Sequence, residues 1–206
     1  MARIPSSQLS LLARPRILVS GFGAFPGMPE NPTSALVRSL PRRLMGLKVH
    51  RRVFPVSWER SPKQVQRSVE TVVPHLLLML GVARQDCTGR LELQASNRLD
   101  GRPDGDGQLL LPGPIVPTRP MSHTLNCHWP CEDLVQQMRR RGHDLELSKD
   151  AGRYLCNRSY YGAFEAPTTA GVGFLHVAPG AYSGLSDPRR KLVCDLIRAL
   201  DLWLRT

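Results

Sequence analysis

His75-Leu76-Leu77-Leu78-Met79-Leu80-Gly81-Val82 is apolar almost throughout and shows no alternation. The run is far short of the roughly 20 residues a bilayer span requires. It reads instead as a strand covered on both faces, as in parallel sheets flanked by helices. The flanks agree. Ser61-Pro62 opens a helix through Val73, with Val65, Val69 and Val72 at helical spacing, and Pro74 stops it. Further upstream, Ile17-Leu18-Val19-Ser20 is a short buried strand ending at Gly21, and Leu47 to Val56 is another. Between them Asn31-Pro32 supplies a cap and a first-turn proline for a helix to about Leu40.

Downstream, Leu91-Glu92-Leu93-Gln94-Ala95 alternates and reads as one half-buried strand. Residues 98–130 are rich in Gly, Pro and Asp and read as a long irregular insertion, functional or mobile. Cys131 to Arg141 reads as a helix with Gly142 just past its end, followed by a short strand at Leu145-Glu146-Leu147. A helix opens at about Leu155, and Gly173-Phe174-Leu175-His176-Val177 forms the last strand. Ser186 caps a final helix to about Trp203, with Leu192, Val193, Leu196, Ile197 and Leu200 as its core stripe. Strands alternating with helices imply an α/β sandwich around a mostly parallel sheet. With no internal repeat, one domain over residues 16–206 is expected, and residues 1–15 read as a disordered N-terminal extension.

At 206 residues the chain can bury a full core, and 41% hydrophobic with 22% charged residues excludes a disordered or fibrous chain. The net charge is +11, and 24 of the 28 cations are Arg. A polyanion such as nucleic acid could answer that charge, but the cations do not interleave with aromatics as on a base-stacking platform. Nucleic acid is therefore not the expected partner. Five cysteines (Cys87, Cys127, Cys131, Cys156, Cys194) form an odd set, which points to a reducing compartment such as the cytoplasm rather than a secreted disulfide framework.

Three side chains could carry chemistry. Cys156, after the turn Asp150-Ala151-Gly152-Arg153-Tyr154, falls in the first turn of its predicted helix. Free N–H groups and the helix dipole there favour a thiolate and can receive an oxyanion. Taken alone, Cys156 fits a buried structural thiol at least as well. His176 ends an apolar strand, at the edge where open α/β sheets bind ligands, and beside a Cys it becomes a candidate base. Glu92 could face solvent, or orient that imidazole as the third member of a triad.

The chain resembles the pyroglutamyl-peptidase I family of cysteine peptidases in four stretches, in order. These are Gly21-Phe22-Gly23-Ala24-Phe25 with Asn31-Pro32-Thr33; Leu80-Gly81-Val82 with Glu92 and Asn97; Ser148 to Cys156-Asn157 with Tyr161; and Phe174-Leu175-His176-Val177. The resemblance covers about Arg16 to Arg205. It implies a three-layer α/β/α sandwich and removal of N-terminal pyroglutamate from peptides by a Glu92/Cys156/His176 triad, without cofactor or metal. It further implies that the Cys156 N–H and Arg102 stabilise the oxyanion. Phe22 and Phe25 would pack the lactam against a wall at Tyr154-Leu155, with Asn31 and the Val82 backbone at its polar edge. Family members often assemble as dimers or tetramers, so a homo-oligomer is also implied. The chain departs from the family pattern at Ala24, Pro26, Arg84, Gln85 and Ala178. A ligand-binding protein whose site has been closed by Arg84-Gln85 is the competing reading. A zinc site at His123, Cys127, His128 and Cys131 fits the usual ligand spacings poorly.

Overall fold

The structure, a computed structural model, describes residues 15–83, 89–166 and 171–206. In chain order it contains β1 (Arg16–Phe22), α1 (Pro32–Ser39), β2 (Arg43–Leu44), β3 (Leu47–Phe54), α2 (Arg60–Val72), β4 (Leu76–Val82) and β5 (Gly89–Glu92). There follow β6 (Gln94–Ser96), β7 (Thr124–Asn126), α3 (Cys131–Arg140), β8 (Leu145–Ser148), α4 (Leu155–Phe164), β9 (Val172–Val177) and α5 (Pro188–Leu204). One sheet has the order β2-β3-β1-β4-β9-β5-β8. β3, β1, β4 and β9 are mutually parallel; β5 runs against β9 and along β8, and β2 runs against β3. This is the expected single α/β domain with a mixed, mostly parallel sheet.

The apolar run of β4 lies at the centre of that sheet, and Leu76 through Leu80 are all buried. Because strand side chains alternate, each central strand feeds two cores. Ile17, Val19, Leu78, Leu80, Leu91 and Leu175 pack against α1, α3 and α5. Leu18, Phe22, Leu77, Met79 and Phe174 pack on the opposite face, against α2 and α4. Three layers result, and everything on the α4 face of β1, β4, β9 and β5 shares one environment.

Several boundaries differ from the sequence expectations. Leu91–Ala95 is not one strand. β5 stops at Glu92, and β6 leaves the main sheet to pair with β7 in a separate antiparallel ribbon. α2 begins at Arg60, ahead of Ser61-Pro62, and ends where Val73 turns left-handed at φ 46°. Asp187, not Ser186, caps α5, accepting a hydrogen bond from the Arg189 N–H, with Pro188 as the first helical residue.

The 98–130 segment is held against the body of the protein. Buried Asn97 donates through Nδ2 to the carbonyls of Val116, Arg119 and Pro120 and accepts from the Val116 N–H. The Asp104 carboxylate accepts from the N–H groups of Trp58, Asp106 and Gln108. Residues 1–14, and Arg84, Gln85 and Cys87, lie outside the described residues. No helix among the described residues is long and apolar enough to cross a membrane.

Candidate active site

The site is assembled over the carboxyl ends of β4 and β9, beside β5 and β8, which run the other way. β8 runs out at Ser148 into a turn, in which Ser148 Oγ accepts from the Asp150 N–H and Asp150 Oδ1 accepts from the Gly152 N–H. Gly152 takes the positive φ of 80° that the turn requires. α4 then opens with no side-chain cap, and Cys156 is its second residue. The N–H groups of the first helical turn have no partner within the helix, so this end presents donors beside the thiol. Asn157 fixes the helix start to β6. Its Oδ1 accepts from the Ser96 N–H at 2.8 Å, and its Nδ2 donates to the carbonyls of Ser96 and Arg98.

Beneath Cys156 a row of residues crosses the sheet. Gly81 on β4 is in register with His176 on β9, which is in register with Arg90 on β5. Gly81 leaves the thiol its space: a Cβ there would sit 2.9 Å from Cys156 Sγ. Two residues beyond Arg90, and so on the same face, Glu92 is fully buried. Its Oε1 is 2.7 Å from His176 Nδ1. The phenol of Tyr160, from α4, donates to the Glu92 carbonyl, and Phe174 stacks obliquely on the imidazole at 4.8 Å.

Burial alone lowers the basicity of His176. Hydrogen bonding and Coulomb attraction from Cys156 and Glu92 outweigh it, and the ring pKa is raised to about 9. Glu92 accepting from Nδ1 leaves Nε2 for the sulfur, which is the tautomer a Cys–His pair needs.

A cavity of about 200 Å³ opens at this point, lined by Val82, Arg90, Arg102, Tyr154, Cys156 and His176 among others. It is smaller than the roughly 300–1,000 Å³ of sites for drug-sized ligands. The remaining expected pocket residues divide. Tyr154 and Val82 line the cavity. Tyr154 is braced edge-on by Trp58 and donates from its hydroxyl to the Pro103 carbonyl. Arg102 also lines it, but its guanidinium pairs with Asp100 at 2.7 Å and lies over the Tyr154 ring.

Leu155 and Phe22 are buried in the α4-side core, and Phe25 packs partly exposed at that core's margin. Asn31 is spent on its own loop. It donates to the Gly23 carbonyl and accepts from the N–H and hydroxyl of Thr33, as the cap of α1. It holds the Phe22–Phe25 loop.

A family model described as pyroglutamyl peptidase matches residues 15–180. The chain belongs to that family of cysteine peptidases. A pyrrolidone-carboxylate peptidase of Pyrococcus furiosus is 30% identical over 168 residues, covering 79% of this chain and 80% of its own. One of Vibrio vulnificus is 28% identical over 197 residues, covering 93% and 92%. The crystal structure of pyrrolidone carboxyl peptidase from Thermus thermophilus superposes with a TM-score of 0.77 at 31% identity, covering 88% of this chain and 98% of that one. A mutant of the Pyrococcus furiosus enzyme superposes with a TM-score of 0.80 at 25% identity, covering 91% and 99%.

Two arginines outside the motifs also border the site. Arg189 is buried and paired with Asp187 at 2.6 Å, and it donates to the carbonyls of Ala178, Gly180 and Ala181. It thus shapes the loop after His176, where the chain departs from the family pattern at Ala178. Arg90 shares the face of Glu92, a placement that the alternation around Leu91 already contained.

In the other candidate cluster the Cys127 and Cys131 side chains remain in hydrogen-bonding contact while the histidines turn elsewhere. His123 is bonded to the Tyr161 hydroxyl, and His128 packs edge-on against Phe164. The Cys127 thiol donates to the Val172 carbonyl, and Cys131 is buried. Among the described residues no three His, Cys, Asp or Glu groups are arranged to hold an ion. Many of the arginines end on main-chain carbonyls, as Arg51 does on Arg38 and Leu40 and Arg158 on Trp58.

Proposed function

We propose that this protein is a cysteine omega-peptidase that hydrolyses the peptide bond after an N-terminal pyroglutamyl residue. The observation that carries the reading is the convergence of Cys156, His176 and Glu92, from α4, β9 and β5, on one face of the sheet. In this reading Cys156 Sγ attacks the pyroglutamyl carbonyl carbon while its proton resides on His176 Nε2. The oxygen takes the negative charge and accepts from the Cys156 N–H. His176 then protonates the leaving amine as the C–N bond breaks, giving a thioester. Water, losing its proton to His176, attacks the thioester and frees pyroglutamate and the thiol. Glu92 holds the imidazole by Nδ1 throughout and stabilises its cation.

The small cavity beside an apolar loop suits the flat, uncharged lactam, whereas a free α-ammonium would lose its hydration there. A thiol nucleophile of this kind operates in a reducing compartment such as the cytoplasm. The test is release of aminomethylcoumarin from its pyroglutamyl amide, expected to be abolished by iodoacetamide and by Cys156→Ala. Undiminished turnover by the alanine variant refutes the mechanism.

A further inference from the structure

We propose that Arg90 and Arg153 form a cationic rim on the leaving-group side of the site, selecting peptides whose residue after pyroglutamate carries a carboxylate. The inference rests on the reaction proposed above and adds the substrate class on the far side of the scissile bond.

The sheet order sets the direction. From β1 through β4 and β9 to β5 lie, in turn, Phe22, Gly81, His176 and Arg90. The apolar loop that would take the lactam is at one end of this row and Arg90 at the other. His176 hands its proton to the departing amine, so the departing residue lies on the His176 side, within reach of Arg90. Arg153, one turn-residue before Tyr154, lines the same cavity from above.

The charges on this rim are unbalanced. Arg90 Nε is buried and has no acceptor among the described residues. Neither Arg90 nor Arg153 has an ion pair among the described residues, whereas Arg102 is neutralised by Asp100. The opposing carboxylate on the rim is Asp150, whose Oδ1 already accepts from the Gly152 N–H. Among the described residues, two guanidinium groups therefore face one carboxylate. A buried N–H without an acceptor is costly, and a guanidinium fork is shaped to receive a carboxylate. Such a carboxylate could be the free C-terminus of a pyroglutamyl dipeptide, or the side chain of Asp or Glu following pyroglutamate in a longer peptide.

Two substrate pairs separate these sources: pyroglutamyl-alanine against its C-terminal amide, and pyroglutamyl-glutamate amide against pyroglutamyl-glutamine amide. In one or both pairs the carboxylate member is expected to have a kcat/KM about tenfold higher, as for one charge-assisted hydrogen bond. The pair that shows the difference identifies the source. The ratio is expected to fall towards one in Arg90→Gln and in Arg153→Gln. Because it is taken within each variant, a general loss of activity cancels, and Arg153 is exposed, so its substitution spares the fold. Ratios near one in the unaltered enzyme, or ratios that survive both substitutions, overturn the rim alone when the coumaryl amide is still cleaved. No hydrolysis of any of these substrates overturns the proposed reaction, and the rim with it.

Discussion

Replacing Gly81 by Ala tests the placement of the nucleophile more sharply than deleting it. The added Cβ would lie 2.9 Å from Cys156 Sγ and 2.8 Å from Phe174 Cε1, about half an ångström inside ordinary contact at 3.4 Å. Phe174 is fully buried in the α4-side core and has little room to retreat. The sulfur sits at the free end of a short side chain and yields first. Overpacking of this kind costs about 1–3 kcal/mol, or roughly 2–4 °C of melting midpoint per kcal/mol in a chain of this size. A nucleophile displaced by about 1 Å can lose 10²-fold in rate, and a shift of about half that gives an expected fall in kcat/KM of about 10-fold.

The control is Gly173→Ala, whose Cβ would strike the Trp129 ring on the opposite face of the sheet. It is expected to lower stability with a far smaller effect on kcat in the molecules that remain folded. Pyroglutamyl-coumarin kinetics, the rate of Cys156 alkylation and thermal melts measure all three quantities. A Gly81→Ala enzyme with unaltered kcat/KM and alkylation rate refutes the view that the sulfur rests over Gly81.

Other consequences are open to direct measurement. Glu92→Gln removes the carboxylate charge that holds the His176 proton and its tautomer, and kcat is expected to fall about 10²–10⁴-fold, as in triads deprived of their carboxylate; a change of less than twofold excludes an orienting role. The raised His176 pKa sets the alkaline limb of the pH–rate profile near 9, because above it the ring no longer holds the proton the leaving amine needs. The same proton stabilises the fold fully below about 6.5 and ceases to do so as the pH rises through about 9. A limb at 6.5 would show an imidazole without these partners. Arg189→Met strands the buried Asp187 carboxylate and frees the carbonyls of the loop after His176. A loss of about 3–5 kcal/mol is expected for breaking such a pair, read by urea unfolding. The Arg189 guanidinium holds the Asp187 carboxyl well below its usual value, so the stability it lends is present above pH 3.8 and is lost as the pH falls below it.

The arginine surplus finds structural employment that total charge conceals. A guanidinium carries five donors on a long stem, so it can terminate several carbonyls at once. Arg189 does this for the loop beside His176, and Arg51 for the chain leaving α1. Arg102 differs: it borders the cavity with Cys156 and His176, its guanidinium pairing with Asp100 over the Tyr154 ring.

Local sequence was enough for the β4 run, the proline stop at Pro74, the turn ahead of Cys156 and the α/β class, because each follows from the chemistry of neighbouring residues. The order of motifs likewise singles out Glu92, Cys156 and His176. Their meeting is a property of pairing between distant strands. Glu92 reaches His176 only because β5 runs antiparallel to β9 in a register that sets Arg90 opposite the imidazole. The division of 91–95 between two sheets and the lack of an acceptor for Arg90 Nε among the described residues likewise depend on how distant segments pack. Nearby residues dictate which conformations a segment prefers, but which buried donor lacks an acceptor is settled only when every layer has closed over it.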